Sequence, residues 1–127
     1  MKELSRSIIL KLHAKTIARF GGSLGIRDEK MLDSALNAPF QTFDGIDFYP
    51  TLLEKAARLG YGIVQNHPFV DGNKRVGALA ALVLLKLNGK SVKASSEELA
   101  PIILRIAKGE AKYEDFRDWL LARTFPQ

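Results

Sequence analysis

From Val76 to Leu85 the chain reads VGALAALVLL, apolar on almost every side of a helix until Lys86 breaks the run. That is about half of the roughly 20 apolar residues a bilayer span needs. Asn73–Leu87 therefore reads as a helix that must be enclosed by other helices rather than by lipid. The rest of the chain has to wrap it. With 127 residues, 46% apolar and 26% charged, there is material for one core of fair size and not for two domains. The expectation is a single all-α domain over residues 1–127: a compact helical bundle with a buried central helix and a small β-hairpin flap.

The flanking segments supply such helices. Ile8, Ile9, Leu12, Ile17 and Phe20 recur at helical spacing after a Ser5 or Ser7 cap, and Gly21-Gly22 stops the pattern. Asp28 can cap a short second helix with Met31, Leu32, Ala35 and Leu36 inward, ended by Pro39. Between Phe40 and Pro50 the period is lost, and two extended arms around Asp44-Gly45 suggest a hairpin. Thr51 with Glu54 forms a capping box that opens a helix through Leu52, Leu53, Ala56, Leu59, Ile63 and Val64 to Asn66. After the central helix and its Asn88-Gly89 stop, Ser95 with Glu98 opens another, through Leu99, Ile102, Ile103 and Ile106, with Pro101 an early irregularity. A last helix turns Phe116, Trp119 and Leu120 inward. No repeat or linker interrupts the series.

Chemistry concentrates where the chain enters the central helix. His67 can accept a proton near neutral pH, since an imidazole has a reference pKa of about 6.5; alone it could equally be a loop histidine bonded to a carbonyl. Phe69 is expected to insert into the core and turn the imidazole outward. Asp71 can be a magnesium ligand, because that ion needs only one or two protein carboxylates beside nucleotide phosphates, or it can simply favour the helix dipole. Gly72 and Asn73 make an anion nest, Asn73 serving as cap and loop brace. Lys74 and Arg75 stand at a helix N-terminus, where cations oppose the dipole, so an anionic ligand explains them better than a solvated face does. No Walker loop is present. Zinc does not fit, because His13 is the one other histidine and cysteine is absent.

The net charge of +5 is spread along the chain, so a solvated basic surface is favoured over a nucleic-acid face. Met1-Lys2-Glu3-Leu4-Ser5 is polar and lacks a signal-peptide core. A cytoplasmic protein with no membrane contact and no direct nucleic-acid partner is expected.

His67-Pro68-Phe69-Val70-Asp71-Gly72-Asn73-Lys74-Arg75 resembles the Fic/Doc (Fido) signature His-x-Phe-x-Asp/Glu-Gly/Ala-Asn-Gly/Lys-Arg. Leu12-His13, Phe20-Gly21-Gly22, Ala35–Phe43, Tyr49-Pro50 and Leu87-Asn88-Gly89 are similar to its death-on-curing toxin branch. The resemblance implies a helical Fic/Doc-type domain that binds ATP and Mg2+ and modifies a hydroxyl side chain of a target protein. His67 is then the base, Asp71 the metal ligand, and Gly72, Asn73, Lys74 and Arg75 the phosphate cradle. Thr42, Phe43, Asp44, Gly45 and Ile46 correspond to a flap that aligns the target by strand addition. His13 is left structural.

AMP-transferring members have Gly at the Lys74 position and a second Arg where Ala78 stands here. Lys74 goes instead with a reversed nucleotide that presents its γ-phosphate, which implies a kinase of a type II toxin–antitoxin system; elongation factor Tu is the leading target and inhibition of translation the outcome. Gln65 departs from the Arg of that branch. The self-inhibitory Ser/Thr-x-x-x-Glu-Gly/Asn helix is missing, so restraint is expected from an antitoxin whose disordered segment lies across the groove. An AMP transferase, a basic nucleic-acid-binding module and a silent nucleotide binder are the alternatives.

Overall fold

A computed structural model describes all residues, 1–127. Six helices form the body: α1 (Arg6–Phe20), α2 (Glu29–Asn37), α3 (Leu52–Asn66), α4 (Asn73–Leu87), α5 (Ser96–Ala107) and α6 (Tyr113–Leu121). The hairpin is β1 (Thr42–Phe43) paired antiparallel with β2 (Ile46–Asp47), Thr42 opposite Asp47 and Phe43 opposite Ile46. Asp44 (φ 53°) and Gly45 (φ 78°) both lie in the left-handed region, the geometry of a type I′ turn that matches the twist of its arms. No helix is long and apolar enough to cross a membrane.

Local signals place the helix starts. Ser5 caps α1 and Asp28 caps α2, and both capping boxes form: Thr51 with Glu54 on α3, Ser95 with Glu98 on α5. The Ser95 amide and hydroxyl hold the Glu98 carboxyl below the usual carboxylate range. After α2 the chain makes one 3-10 turn, Ala38–Phe40, with Pro39 buried inside it. Pro101 does not break α5; it sits exposed, where the carbonyl it leaves unpaired can reach water.

The core is the α3–α4 pair, on which α1, α2, α5 and α6 pack. Two glycines allow the close crossing. A Cβ on Gly77 would stand 2.5 Å from Val64 Cγ2 and 2.9 Å from the Gly60 carbonyl oxygen, and one on Gly60 would meet the Gly77 carbonyl at 2.8 Å. Backbone therefore touches backbone at the centre of the molecule.

Three expectations need correction. The central helix is not enclosed on all sides: Val76, Ala80, Ala81, Leu84 and Leu85 are buried, while Ala78, Leu79 and Leu82 are half-buried along one wall of a groove. Ile8, Phe20 and Met31, expected inward, are exposed, because α1 and α2 each bury only a narrow stripe. A second ribbon was not foreseen: β3 (Lys90–Val92) pairs antiparallel with β4 (Thr124–Pro126) and ties the chain end to the exit of α4. Three-residue strands carry too little periodicity to be read from sequence.

Candidate active site

The turn from α3 into α4 is built on one strained residue. His67 ends α3 with φ 51° and ψ 53°, a left-handed conformation that costs a non-glycine residue about 1–2 kcal/mol. Arg27 restrains it: Nε donates to the His67 carbonyl at 2.6 Å and Nη2 to the Asn66 carbonyl at 3.0 Å. These are carbonyls that the end of α3 leaves without helical partners. The backbone around Arg27 runs alongside the turn. The amides of Arg27 and Asp28 donate to the Pro68 carbonyl, Val70 N–H donates to the Gly25 carbonyl, and Ile26 bridges to Phe69.

Phe69 is fully buried, as expected, and stacks on the buried His13 ring with centroids 3.9 Å apart and planes 9° from parallel. His13 Nε2 donates to the Asp71 carbonyl at 2.8 Å; the oxygen can only accept, so the ring is protonated there. The Asp71 side chain is exposed, and its Oδ2 accepts the Ser23 N–H at 2.7 Å. The other carboxylate oxygen remains open. No group of three or more His, Cys, Asp or Glu gathers to hold a metal. One free carboxylate oxygen fits magnesium, which retains waters and takes phosphate oxygens, and does not fit an all-protein cage.

Gly72 (φ 84°) is the N-cap of α4, with no side-chain cap on the helix. Asn73 was expected to cap the helix as well as brace the loop, and only the second holds. Its Oδ1 accepts the Phe69 N–H at 2.9 Å, and its Nδ2 donates to the Phe69 carbonyl at 3.0 Å and lies 3.1 Å from His67 Nδ1. That leaves the first-turn amides of α4 open, with no acidic residue in the first turn. Lys74 and Arg75 are exposed. Neither enters an ion pair; those of the chain join Arg6 to Glu29 and Asp33, Lys55 to Asp47 and Arg117 to Asp118. The Arg75 guanidinium lies 4.2 Å from the centre of the exposed Phe20 ring, which steers it without neutralising it.

These residues share one groove of about 1490 Å³, lined by His67, Asp71, Gly72, Asn73, Lys74 and Arg75 at one end and by apolar side chains of α4 and α5 beyond. Gln65 and Ala78 also line it. A smaller cavity of about 580 Å³, beside Thr51, Glu54, Lys90 and Arg117, holds none of the motif. Thr42, Phe43, Asp44, Gly45 and Ile46 project into solvent and are not among the groove's lining residues. Behind them Lys55 bonds Asp47 at 3.2 Å and the Tyr49 carbonyl.

Sequence reading missed the parts of the site that come from α1 and the segment after it. His13, Ser23 and Arg27 meet the turn only through folding. His13 was signalled by its place among core positions of α1 and by the Leu12-His13 resemblance, neither of which gave it a partner; Ser23 and Arg27 carried no signal.

A family model described as the Fic/DOC family matches residues 3–85. The "Toxin Doc" of Mycolicibacterium smegmatis (strain ATCC 700084 / mc(2)155) is 46% identical over 83 residues, 65% of this chain and 63% of that protein, so the match spans less than two thirds of that relative. The "Protein kinase doc" of Escherichia phage P1 is 29% identical over 120 residues, 94% of each chain. The motif turn lies inside the matched region, and the chain belongs to the Fic/DOC family.

Proposed function

We propose that this chain is the toxin of a toxin–antitoxin pair and transfers the γ-phosphate of ATP, with Mg2+, to a hydroxyl side chain of a target protein. The observation that carries the reading is the uncapped start of α4: open amides, Lys74 and Arg75 face the same groove as His67 and Asp71. Free amides, the helix dipole and two unpaired cations make that helix end a receptor for polyphosphate. Asp71 would hold magnesium, which when bound neutralises charge on the phosphate oxygens. Arg75 offers a planar fork to phosphate, Lys74 a mobile point charge, and His67 takes the proton of the attacking hydroxyl. Transfer is then in-line, with positioning and charge stabilisation as the main contributions of the protein.

Kinase chemistry is supported over AMP transfer by Lys74 at the helix start and by Ala78, a small apolar residue where a second cation would face the groove. The name of the phage relative agrees. Elongation factor Tu as the target and a block of translation as the result are carried over from the resemblance alone. The apolar continuation of the groove suits a segment of an antitoxin that orders on binding, and the +5 charge of the chain favours an acidic partner.

The test is incubation with bacterial lysate, and separately with purified elongation factor Tu, using ATP labelled at the α- or the γ-phosphate. Label from the γ position alone is expected. Protein labelled from the α position would make the chain an AMP transferase, and binding to nucleic acid that survives Asp71→Ala without any transfer would favour a binding module.

A further inference from the structure

His67 and Asn73 meet inside the motif turn, and backbone groups decide which of them donates. Asn73 is buried. Its Oδ1 takes the Phe69 N–H and its Nδ2 donates to the Phe69 carbonyl. A backbone N–H only donates and a carbonyl only accepts, so turning the amide over would set donor against donor and acceptor against acceptor. The second hydrogen on Nδ2 is then the one that meets His67 Nδ1, at 3.1 Å, and Nδ1 accepts it. A neutral imidazole carries a single proton. It must sit on Nε2, which has no partner within the protein.

We propose that Asn73 is a positioning residue that holds the neutral His67 ring as its Nε2–H tautomer, so that the resting site offers a donor at Nε2 and keeps its basic lone pair at Nδ1, occupied within the turn. The consequence for catalysis rests on the phosphoryl-transfer reading. A target hydroxyl can pass its proton only to Nδ1, and only once the Asn73 bond opens. A half-turn of the ring about Cβ–Cγ does this, exchanging Nδ1 for a carbon at Asn73. The hydroxyl proton then goes to Nδ1, and the oxygen forms its bond to the γ-phosphorus. The bond from that phosphorus to the β–γ bridging oxygen breaks, its electron pair leaving with ADP. The imidazolium later returns its proton to water. Until a target is in place, the bond from Asn73 keeps the Nδ1 lone pair of His67 occupied.

The experiment is long-range 1H–15N spectroscopy of the full, unliganded chain with 15N-labelled histidine, above the titration range of imidazole. With two histidines in the chain, the His67 signals are those lost in His67→Ala. Protonated Nε2 and a hydrogen-bonded, unprotonated Nδ1 are expected for His67. Asn73→Asp, which sets an acceptor against Nδ1, should move the proton to Nδ1. A wild-type ring protonated at Nδ1, or one averaging between tautomers, overturns the proposal; so does a folded Asn73→Asp variant that keeps the wild-type tautomer. If that variant does not fold, the wild-type spectrum decides alone. Phosphate transfer measured on the same sample separates the two readings. An Nε2–H ring without transfer sustains the tautomer and removes its catalytic consequence, whereas transfer with an Nδ1–H ring sustains the kinase and ends this proposal.

Discussion

The motif turn and the hairpin flap are both short excursions from the helical body, and they are held in opposite ways. Residues 67–72 are tied to α1 by the His13 stack and its bond to Asp71, to the segment after α1 by Arg27 and Ser23, and to α4 by Asn73. Residues 42–47 have their own ladder and, from Asp47, one bond to Lys55; Phe43 and Ile46 are 72% and 71% exposed. Chemistry on phosphate needs donors fixed before the ligand arrives, because disorder at that point is lost rate. A surface that adds a strand from a partner needs free backbone edges and tolerance of different side chains. The difference in restraint is the one that the roles proposed for the two segments would require.

The largest expected effect comes from removing the outcome of all that restraint. His67→Ala should cut γ-phosphate transfer by at least about 10²-fold, while the fold persists at a cost of about 1 kcal/mol, because the exposed ring gives up only its bond to Asn73. Retained transfer in a radiolabel assay would take His67 out of its role. Next, His13→Ala removes a buried ring stack and a buried bond, at a cost of about 2 kcal/mol in denaturant unfolding. It should also raise the magnesium concentration that transfer requires, since Asp71 loses its anchor. His13→Phe, which keeps the stack alone, should recover part of the stability and less of the activity.

On the flap the pattern should invert. Phe43→Ser with Ile46→Ser should shift stability by no more than about 0.5 kcal/mol per site, leave nucleotide affinity in calorimetry unaltered, and reduce modification of the target. Equal losses of nucleotide binding would mean that the flap and the turn are not separate devices.

The smallest effect lies outside both regions and calibrates the rest. The Tyr113 hydroxyl is buried without a partner, and burial, followed by the charge of Glu54, pushes its pKa up to about 12. The folded state therefore holds the phenolic proton longer than the unfolded chain, whose value is near 10. The stability this contributes is present below pH 10 and lost as pH rises through about 12. Tyr113→Phe should flatten that alkaline loss in chemical denaturation curves and be close to neutral at pH 7, because no hydrogen bond is given up.

How legible the molecule was depends on the range of the interaction involved. Capping boxes, the Asp44-Gly45 turn and the spacing of core residues act within about four positions, so Thr51 with Glu54 and Ser95 with Glu98 could be placed from the sequence before any coordinates. The run from Val76 to Leu85 announced a central helix for the same reason. It could not say that one side of that helix would stay open as a groove wall, because enclosure depends on where α5 comes to rest. Gly60 and Gly77 stand inside helical patterns, where a glycine costs about 1 kcal/mol against alanine, and only the α3–α4 crossing shows the backbone contact that each one permits.

The sequence by itself determined the residues of the motif, their order at a helix start and the helical class of the fold, all consequences of local backbone preference and periodic apolar spacing. The tertiary structure decided what holds those residues still. Arg27 reaches His67 across 40 positions, Ser23 reaches Asp71 across 48 and His13 reaches it across 58. Separations of that size leave no periodic trace in a single chain, because such contacts form only after packing has supplied the energy to close loops of that length.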